Sequence, residues 1–294
     1  MKIAGHTLGT PGMTVGEALH LFHNAGIQAA EIIWQDGYSA ALPESGGAIV
    51  REVSAIAGEL GMEIAALTPY QSGFNSLDPN ERKHNIATLS RCIDDAFELD
   101  CHHIRVYAGS FKPTDRDRSE KWAMLVDSLQ ILGQRAAQKD VTLCIENHFN
   151  TMTVTAAETI ALVKEVDSPG VGILYDQANL TFTHSEPYQE AIPLQKGWIR
   201  YVHAKDLIFI DPNKPFIADA VATVKVEERA VRSRVVGQGI LDWPGILAQL
   251  KDLGYDGYLS LEYEYRWHPQ DLPEPAEGFR LGAEALRHML EELA

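Results

Sequence analysis

The chain has 294 residues, of which 45% are hydrophobic, and it carries a formal net charge of −16. Its length and apolar content suffice for a full-sized core, and we expect a single domain over residues 1–294. The acidic charge repels nucleic-acid phosphates and excludes nucleic acid as an expected partner. Three cysteines are too few for a disulfide framework, and no apolar run approaches the roughly 20 residues that span a bilayer, so we expect a cytoplasmic protein without a membrane partner.

Strand-like and helix-like segments alternate along the chain. The predicted strands are residues 2–7, 29–33, 63–68, 103–108, 142–147, 172–176, 200–204 and 258–263. The predicted helix caps are Thr14, Asp78, Thr155 and Asp242, and the predicted helix stops are Gly26, Gly61 and Gly254. Eight strands with helices between them indicate an α/β fold, a single (β/α)8 TIM barrel.

Residues 206–239 break this alternation, because they are a far longer connection than is usual after a barrel strand. They follow the seventh predicted strand, so we expect a long insertion that overhangs the barrel as a lid or pocket wall. Within it, TVKVEERAVRSRVV has the alternation of a short hairpin or an extended flap. Its arginines, Arg229, Arg232 and Arg234, could meet an anionic substrate or another subunit, although exposure to solvent is the favoured interpretation.

Four apolar runs each end on a residue that can bind a divalent metal: VTLCIE on Glu146, VGILYD on Asp176, WIRYVH on His203 and GYLSLE on Glu262. The carboxyl ends of parallel barrel strands share one face, so these residues are expected to converge. Three carboxylates and one imidazole suit a hard cation, and we expect one ion per chain, Mn²⁺, with Mg²⁺ or Co²⁺ as alternatives. Each carboxylate alone could simply cap a helix; the joint pattern favours a metal site.

Further candidates follow from the two-residue period of a strand. His148 should lie just above Glu146 and take part in catalysis, and Lys205 should lie beside His203 and face the substrate. Aromatic side chains near strand ends can pack on a sugar ring, although ordinary packing at the rim explains them equally well. These aromatic candidates are Trp34, Tyr70, Tyr107 and Trp267.

The phrases CIENH, ILYDQAN, YVHAKD, LSLEYE and VVGQGILDWPGIL also carry a resemblance to a known family. They resemble the xylose isomerase-like barrel superfamily, in particular its sugar phosphate isomerase/epimerase group, which includes ketose 3-epimerases, hydroxypyruvate isomerases and inosose dehydratases. The resemblance implies that the positions of Glu146, Asp176, His203 and Glu262 bind one divalent cation. It also implies that the two glutamates carry protons on opposite faces of the substrate.

The chain departs from two narrower patterns within that superfamily. Ketose 3-epimerases place a substrate-binding histidine three residues past the aspartate ligand and an arginine six past the histidine ligand, and here these positions hold Asn179 and Phe209. Asn179 is therefore a candidate for substrate contact, and a ketose 3-epimerase in the narrow sense is disfavoured. The endonuclease IV branch needs additional ligands for a three-metal cluster, and the sequence does not supply the full set.

These patterns predict a divalent-metal-dependent isomerase or epimerase of a small sugar or keto-sugar. Proton abstraction next to a carbonyl would pass through a metal-stabilised enediolate, with Glu146 and Glu262 as base and acid. The alternative on the same scaffold is a lyase, either an inosose-type dehydratase or an enzyme that cleaves 3-keto-glycosides. A sugar-binding barrel without catalysis is the least favoured hypothesis. The long insertion and the apolar tail leave a homo-oligomer open.

Overall fold

The computed structural model describes residues 1–184, 186–214 and 229–293, and within these ranges eight parallel strands close into a barrel. The barrel strands are β1 (Lys2–His6), β2 (Ala29–Trp34), β4 (Glu63–Thr68), β5 (His103–Tyr107), β6 (Thr142–Glu146), β7 (Val171–Asp176), β8 (Ile199–Ala204) and β11 (Tyr258–Leu261). The short strand β3 (Ala41–Leu42) lies beside β2. The barrel closes because β1 pairs with β11 on one side and with β2 on the other.

Helices surround this barrel. They are α1 (Val15–Asn24), α2 (Ala48–Leu60), α3 (Pro79–Glu98), α4 (Arg118–Ala137), α5 (Ala156–Val166), α6 (Gln177–Phe182), α7 (Tyr188–Leu194), α8 (Trp243–Asp252) and α9 (Pro275–Glu292). The four predicted caps are observed: Thr14, Asp78, Thr155 and Asp242 each accept a backbone hydrogen bond at a helix start. The predicted α/β barrel is confirmed, and these four helices begin where a side chain caps the backbone.

The interior of the barrel is filled below the candidate site. Cys144, Leu174 and Tyr201 are fully buried in one small cluster with alanines from β1, β2 and β4. Each of these three residues lies two positions before a predicted metal ligand, so the ligands point inward as well, one layer nearer the carboxyl ends of the strands. The larger apolar cluster packs the outer face of the strands against the helices.

The described ends of the 206–239 segment form a separate antiparallel ribbon. It consists of β9 (Asp206–Phe209) and β10 (Val231–Arg234), with Asp206 opposite Arg234. Residues 215–228, which include the first six residues of the predicted flap, lie outside the described residues. The lid therefore stays a prediction.

Asp206 ties both ends of this segment together. Its buried carboxylate accepts four backbone N–H groups at 2.9 to 3.2 Å. The donors are Leu207, Gly237, Gly239 and Leu241. A Cβ atom on Gly239 would come within 2.0 Å of Asp206 Oδ1, so this close approach requires glycine.

Two further observations concern the whole described chain. In the ranges that the structure describes, no helix has the length and apolar character needed to cross a membrane. The three cysteines are buried and free.

Candidate metal centre

The structure brings together the four residues at the ends of β6, β7, β8 and β11. One ligand atom from each of Glu146, Asp176, His203 and Glu262 can be chosen so that all lie within 4.8 Å of one another. His203 Nδ1 is at the centre of the cluster, 3.4 Å from Glu146 Oε1, 3.8 Å from Asp176 Oδ2 and 3.3 Å from Glu262 Oε2. All four residues are buried.

Sheet register explains why residues so distant in sequence converge. The four strands are consecutive neighbours in the sheet, in the order β11, β8, β7, β6. Asp176 is directly paired with His203 across β7 and β8, and His203 is paired with Ser260, two residues before Glu262. Because each of the four residues lies at or next to the carboxyl end of its strand and faces inward, all four meet at this end of the barrel.

The donor set fits a divalent cation. His203 Nδ1 is buried and makes no hydrogen bond, although three carboxylates surround it. Asp176 Oδ2 is also buried without a hydrogen bond, and its close polar neighbour is the ammonium of Lys205 at 3.0 Å. Buried polar atoms normally have partners, so the unpartnered His203 Nδ1, with carboxylate oxygens around it, is suited to bind a cation. Three carboxylate oxygens and one imidazole nitrogen are donors that Mn²⁺ and similar ions accept.

One of the three carboxylates also caps a helix, which was the alternative interpretation of such a residue. Asp176 Oδ1 accepts a 2.8 Å hydrogen bond from the backbone N–H of Asn179 and caps α6. Its second oxygen still faces the cluster. The side chain of Asn147, which bonds to the backbone of Asp176, holds the strand end in place.

Different cationic neighbours lower the pKa values of Glu146 and Glu262. Burial acts to raise the pKa of Glu146, but Arg105, which donates from Nε at 2.6 Å, acts together with His203 and His148 to lower this pKa to about 2. Burial also acts to raise the pKa of Glu262, and Lys205 at 2.6 Å, followed by His203, brings it well below its ordinary value. Both glutamates are therefore ionised at neutral pH.

The pKa values of Asp176 and His203 are raised instead. Burial, with smaller repulsion from Glu262 and Glu146, raises the pKa of Asp176 to about 7 despite the nearby Lys205. Burial alone would lower the pKa of His203, but Glu31 and Glu262 raise it well above its ordinary value. The cluster thus favours positive charge at its centre, either a proton on the imidazole or a bound cation.

Glu31 is a part of the site that the sequence analysis missed. It is fully buried on β2, and both of its oxygens lie 3.1 Å from Nε2 of His203. Thr68 donates a hydrogen bond to Glu31, and His6 Nε2 lies 3.4 Å away. A carboxylate within an otherwise apolar strand, AAEIIW, was the available signal, because a buried charge needs a partner.

The residues predicted to contact substrate divide into two groups. Lys205, His148 and Tyr107 line a cavity of about 560 Å³ above the cluster. Asn179 also reaches this cavity, but its amide donates to Glu146 Oε1 at 3.1 Å and to Asn147 O, so it holds a ligand in place.

Trp34 is not in the cavity, contrary to the prediction. It is fully buried in the outer core, and its indole N–H donates to Asp95 on α3 at 2.7 Å. The strand period gives the reason: Glu31 points into the barrel, so Trp34, three residues later, points out to the helices.

The surroundings of His148 determine its protonation state. The half-buried His148 donates from Nδ1 to Phe149 O at 2.8 Å, and burial lowers its pKa to about 4. It is therefore neutral at pH 7 with Nε2 as an acceptor.

Arg229 is buried and paired with Asp271 at 2.7 Å, which corrects the expectation of a solvent-exposed arginine.

Comparisons with known proteins bear on the family and the fold. Residues 19–289 match the model of the xylose isomerase-like TIM barrel family. The inosose dehydratase of Geobacillus thermodenitrificans is 29% identical over 172 residues, which are 58% of this chain and 55% of that protein. The chain spans about half the length of the curated relatives it matches.

Solved structures show the same fold across the chain. An L-ribulose 3-epimerase superposes with a TM-score of 0.78 at 17% identity, covering 100% of this chain and 96% of that one. A 3-keto-D-glucoside 4-epimerase from E. coli gives a TM-score of 0.76 at 20% identity, covering 98% of this chain and 99% of that one. With a family model matched over residues 19–289 and a barrel shared from end to end, the protein belongs to the xylose isomerase-like TIM barrel family.

Proposed function

We propose that this protein is a divalent-metal-dependent isomerase or epimerase that abstracts a proton next to the carbonyl of a keto-sugar. The observation that carries the proposal is that Glu146 and Glu262 converge beneath the cavity, 3.4 and 3.3 Å from the same nitrogen of His203, with Glu262 in the cavity lining. Two ionised carboxylates on different strands can approach a substrate from different sides. Removing a proton with one and returning it with the other inverts a carbon centre or moves a carbonyl.

In this proposal Glu146, Asp176, His203 and Glu262 hold one divalent cation. Such an ion acts as a Lewis acid that stabilises negative charge on the substrate oxygens. Asp176 has no free side toward the cavity, because one oxygen caps α6 and the other faces the cluster. Proton transfer therefore falls to the two glutamates and their neighbours.

The two glutamates differ in how firmly they are held. Arg105 and Asn179 both donate to Glu146, which restricts its movement. Lys205 Nζ contacts Glu262 at 2.6 Å, and the same lysine lines the cavity. We assign Glu262 as the base that takes the proton, with Lys205 stabilising the ionised carboxylate, and Glu146 as the group on the other face of the substrate.

We assign His148 to a hydroxyl group of the substrate. Its Nε2 is an acceptor in the cavity, because Nδ1 donates to a backbone carbonyl. A neutral imidazole in that place can accept a hydrogen bond from a substrate hydroxyl and move its proton when the carbonyl shifts. The low pKa of His148 keeps it neutral at pH 7.

A lyase is the second candidate. The curated relatives that support it are inosose dehydratases, at 27 to 30% identity over about half of each chain. Lys205 supports it as well, since an ammonium group beside the base can donate a proton to a departing hydroxyl. The first step, proton abstraction by Glu262, is common to both candidates.

Proton NMR in D₂O separates these candidates. A panel of keto-sugars and inososes is incubated with the Mn²⁺-loaded protein and with the chelator-treated protein. Deuterium incorporation with an inverted centre or a moved carbonyl supports the isomerase or epimerase, and loss of a hydroxyl supports the lyase. Glu262→Gln should abolish exchange, while Glu63→Gln, at the exposed start of β4, should leave it unchanged. Full exchange in Glu262→Gln or in the metal-free protein would contradict the proposal.

A further inference from the structure

A continuous series of aromatic rings lines the cavity. Consecutive ring centroids are 4.1 to 6.5 Å apart. The seven rings, which we call the aromatic belt, are Trp267, Tyr38, Tyr70, Tyr107, His148, Phe149 and Phe182. All seven line the same cavity as Lys205 and Glu262. The lining of the cavity therefore combines charged groups with a long run of aromatic rings.

The outer part of the aromatic belt is accessible to a ligand. Trp267 is 48% exposed, a large exposure for a tryptophan, and it meets the edge of Tyr38. Tyr38 is stacked on Tyr70 with centroids 5.2 Å apart and planes within 12°. Flat rings in this arrangement present faces and edges on which another ring can stack.

The charges of the described lining leave no buried cation free for a phosphate. Arg105 contacts Glu146 at 2.5 Å, and Lys205 contacts Glu262 at 2.6 Å. Arg229, at the start of the ribbon, contacts Asp271 at 2.7 Å. Lys112 lines the cavity too, but it is exposed at the rim. A phosphorylated substrate would therefore have to enter beside carboxylates without a buried partner of its own.

The volume of the cavity also limits the size of the substrate. At about 560 Å³ the cavity falls within the range, about 300 to 1,000 Å³, of sites that enclose drug-sized ligands. A single free hexose bound at the carboxylates would fill only part of this volume.

We propose that the substrate is an uncharged keto-glycoside, with its keto-sugar ring at Glu146 and Glu262 and its second ring against Tyr38, Tyr70 and Trp267. The inference rests on the proposed function for the orientation of the sugar, and on the aromatic belt for the second ring. In this proposal the aromatic belt determines substrate specificity. The carboxylates contact only the keto-sugar ring, which a free sugar and its glycoside share.

Binding of non-reacting probes tests this independently of turnover. Phenyl β-D-glucoside, methyl β-D-glucoside and glucose 6-phosphate are titrated into the Mn²⁺-loaded protein by calorimetry. A stacked ring contributes about fivefold or more in affinity, so the phenyl glucoside should bind at least that much tighter than the methyl glucoside. Trp267→Ala should remove most of this preference, and Tyr38→Ala provides a second variant. Phe97→Ala, which removes a 59% exposed aromatic ring on α3 outside the cavity, is the matched control.

The outcomes distinguish this inference from the proposed function. A phenyl preference that Trp267→Ala abolishes supports the inference, even if no keto-sugar exchanges protons. Equal affinity for the phenyl and methyl glucosides, or tighter binding of glucose 6-phosphate, overturns it, even if free keto-sugars do exchange. A phenyl preference that survives in both Trp267→Ala and Tyr38→Ala also overturns it, because the second ring would then lie elsewhere.

Discussion

Glu31 presents both carboxylate oxygens to Nε2 of His203, each at 3.1 Å. The contact leaves Nδ1 of the same imidazole facing Glu146, Asp176 and Glu262. Histidines that bind metals commonly donate their second N–H to a carboxylate, which fixes the tautomer and the ring orientation. Glu31 is therefore a positioning residue for His203.

Glu31→Gln should weaken Mn²⁺ binding by about 10- to 100-fold, the usual cost of losing such a partner. The amide can still fill the space but no longer provides a full negative charge for the imidazole N–H. Calorimetric titration of the chelator-treated protein measures the affinity. Glu63→Gln is the control, and circular dichroism verifies that the fold is retained. Unchanged Mn²⁺ affinity in Glu31→Gln would refute the positioning role.

Asp176→Asn should stabilise the metal-free protein at alkaline pH. Burial raises the pKa of Asp176 from its ordinary 3.8 to about 7, so the folded state binds more protons than the unfolded state between these values. The contribution of Asp176 to the stability of the metal-free wild type therefore falls as pH rises from about 4 through about 7. Asparagine avoids this loss and still caps α6, because Asn is as good an N-cap as Asp.

Thermal unfolding at pH 5 and pH 8, with and without Mn²⁺, tests this prediction. The melting temperature of Asp176→Asn should exceed that of the metal-free wild type by more at pH 8 than at pH 5. Added Mn²⁺ should raise the melting temperature of the wild type much more than that of the variant. A variant less stable than the wild type at pH 8 without metal would contradict the assignment.

Much of this site follows from the sequence, for identifiable reasons. The ends of β6, β7, β8 and β11 each combine an apolar run with one polar terminal residue, and parallel pairing brings such ends together. Helix starts were predictable where a side chain caps the backbone, as at Thr14 and Thr155. Helices α2 and α4 lack a cap hydrogen bond and gave no comparable start signal.

Glu31 and Trp34 show where sequence reasoning failed. Both lie on β2, a strand whose six residues are all buried, so hydrophobicity alone does not distinguish its inward and outward faces. A register shift between Ala30 and Glu31 against β4 further obscures the alternation. The pairing of Arg229 with Asp271 likewise joins two loops that no local pattern relates.

Lys205→Met should reduce the rate of proton exchange by about 100-fold or more, because it removes the positive charge beside the proposed base Glu262. The methionine retains the apolar part of the side chain. Mn²⁺ binding should persist, since Lys205 is not one of the four ligands. Lys2→Met removes an exposed lysine paired with Glu63 and serves as the control. A normal exchange rate in Lys205→Met would exclude the lysine from the reaction.

Asp206→Ala should destabilise the protein by about 3 kcal/mol or more, since it deprives four backbone N–H groups of a buried charged acceptor. Urea unfolding measures the loss. Asp211→Ala, an exposed aspartate in the same connection, should change stability by less than about 0.5 kcal/mol. Equal effects of the two substitutions would show that the ends of the segment are not held together by Asp206.

Anomalous diffraction from crystals grown with Mn²⁺ tests the central claim most directly. The account predicts one strong anomalous peak per chain, in contact with His203 Nδ1 and with one oxygen each from Glu146, Asp176 and Glu262. A peak at another location, or no peak among these four residues at saturating Mn²⁺, would contradict it.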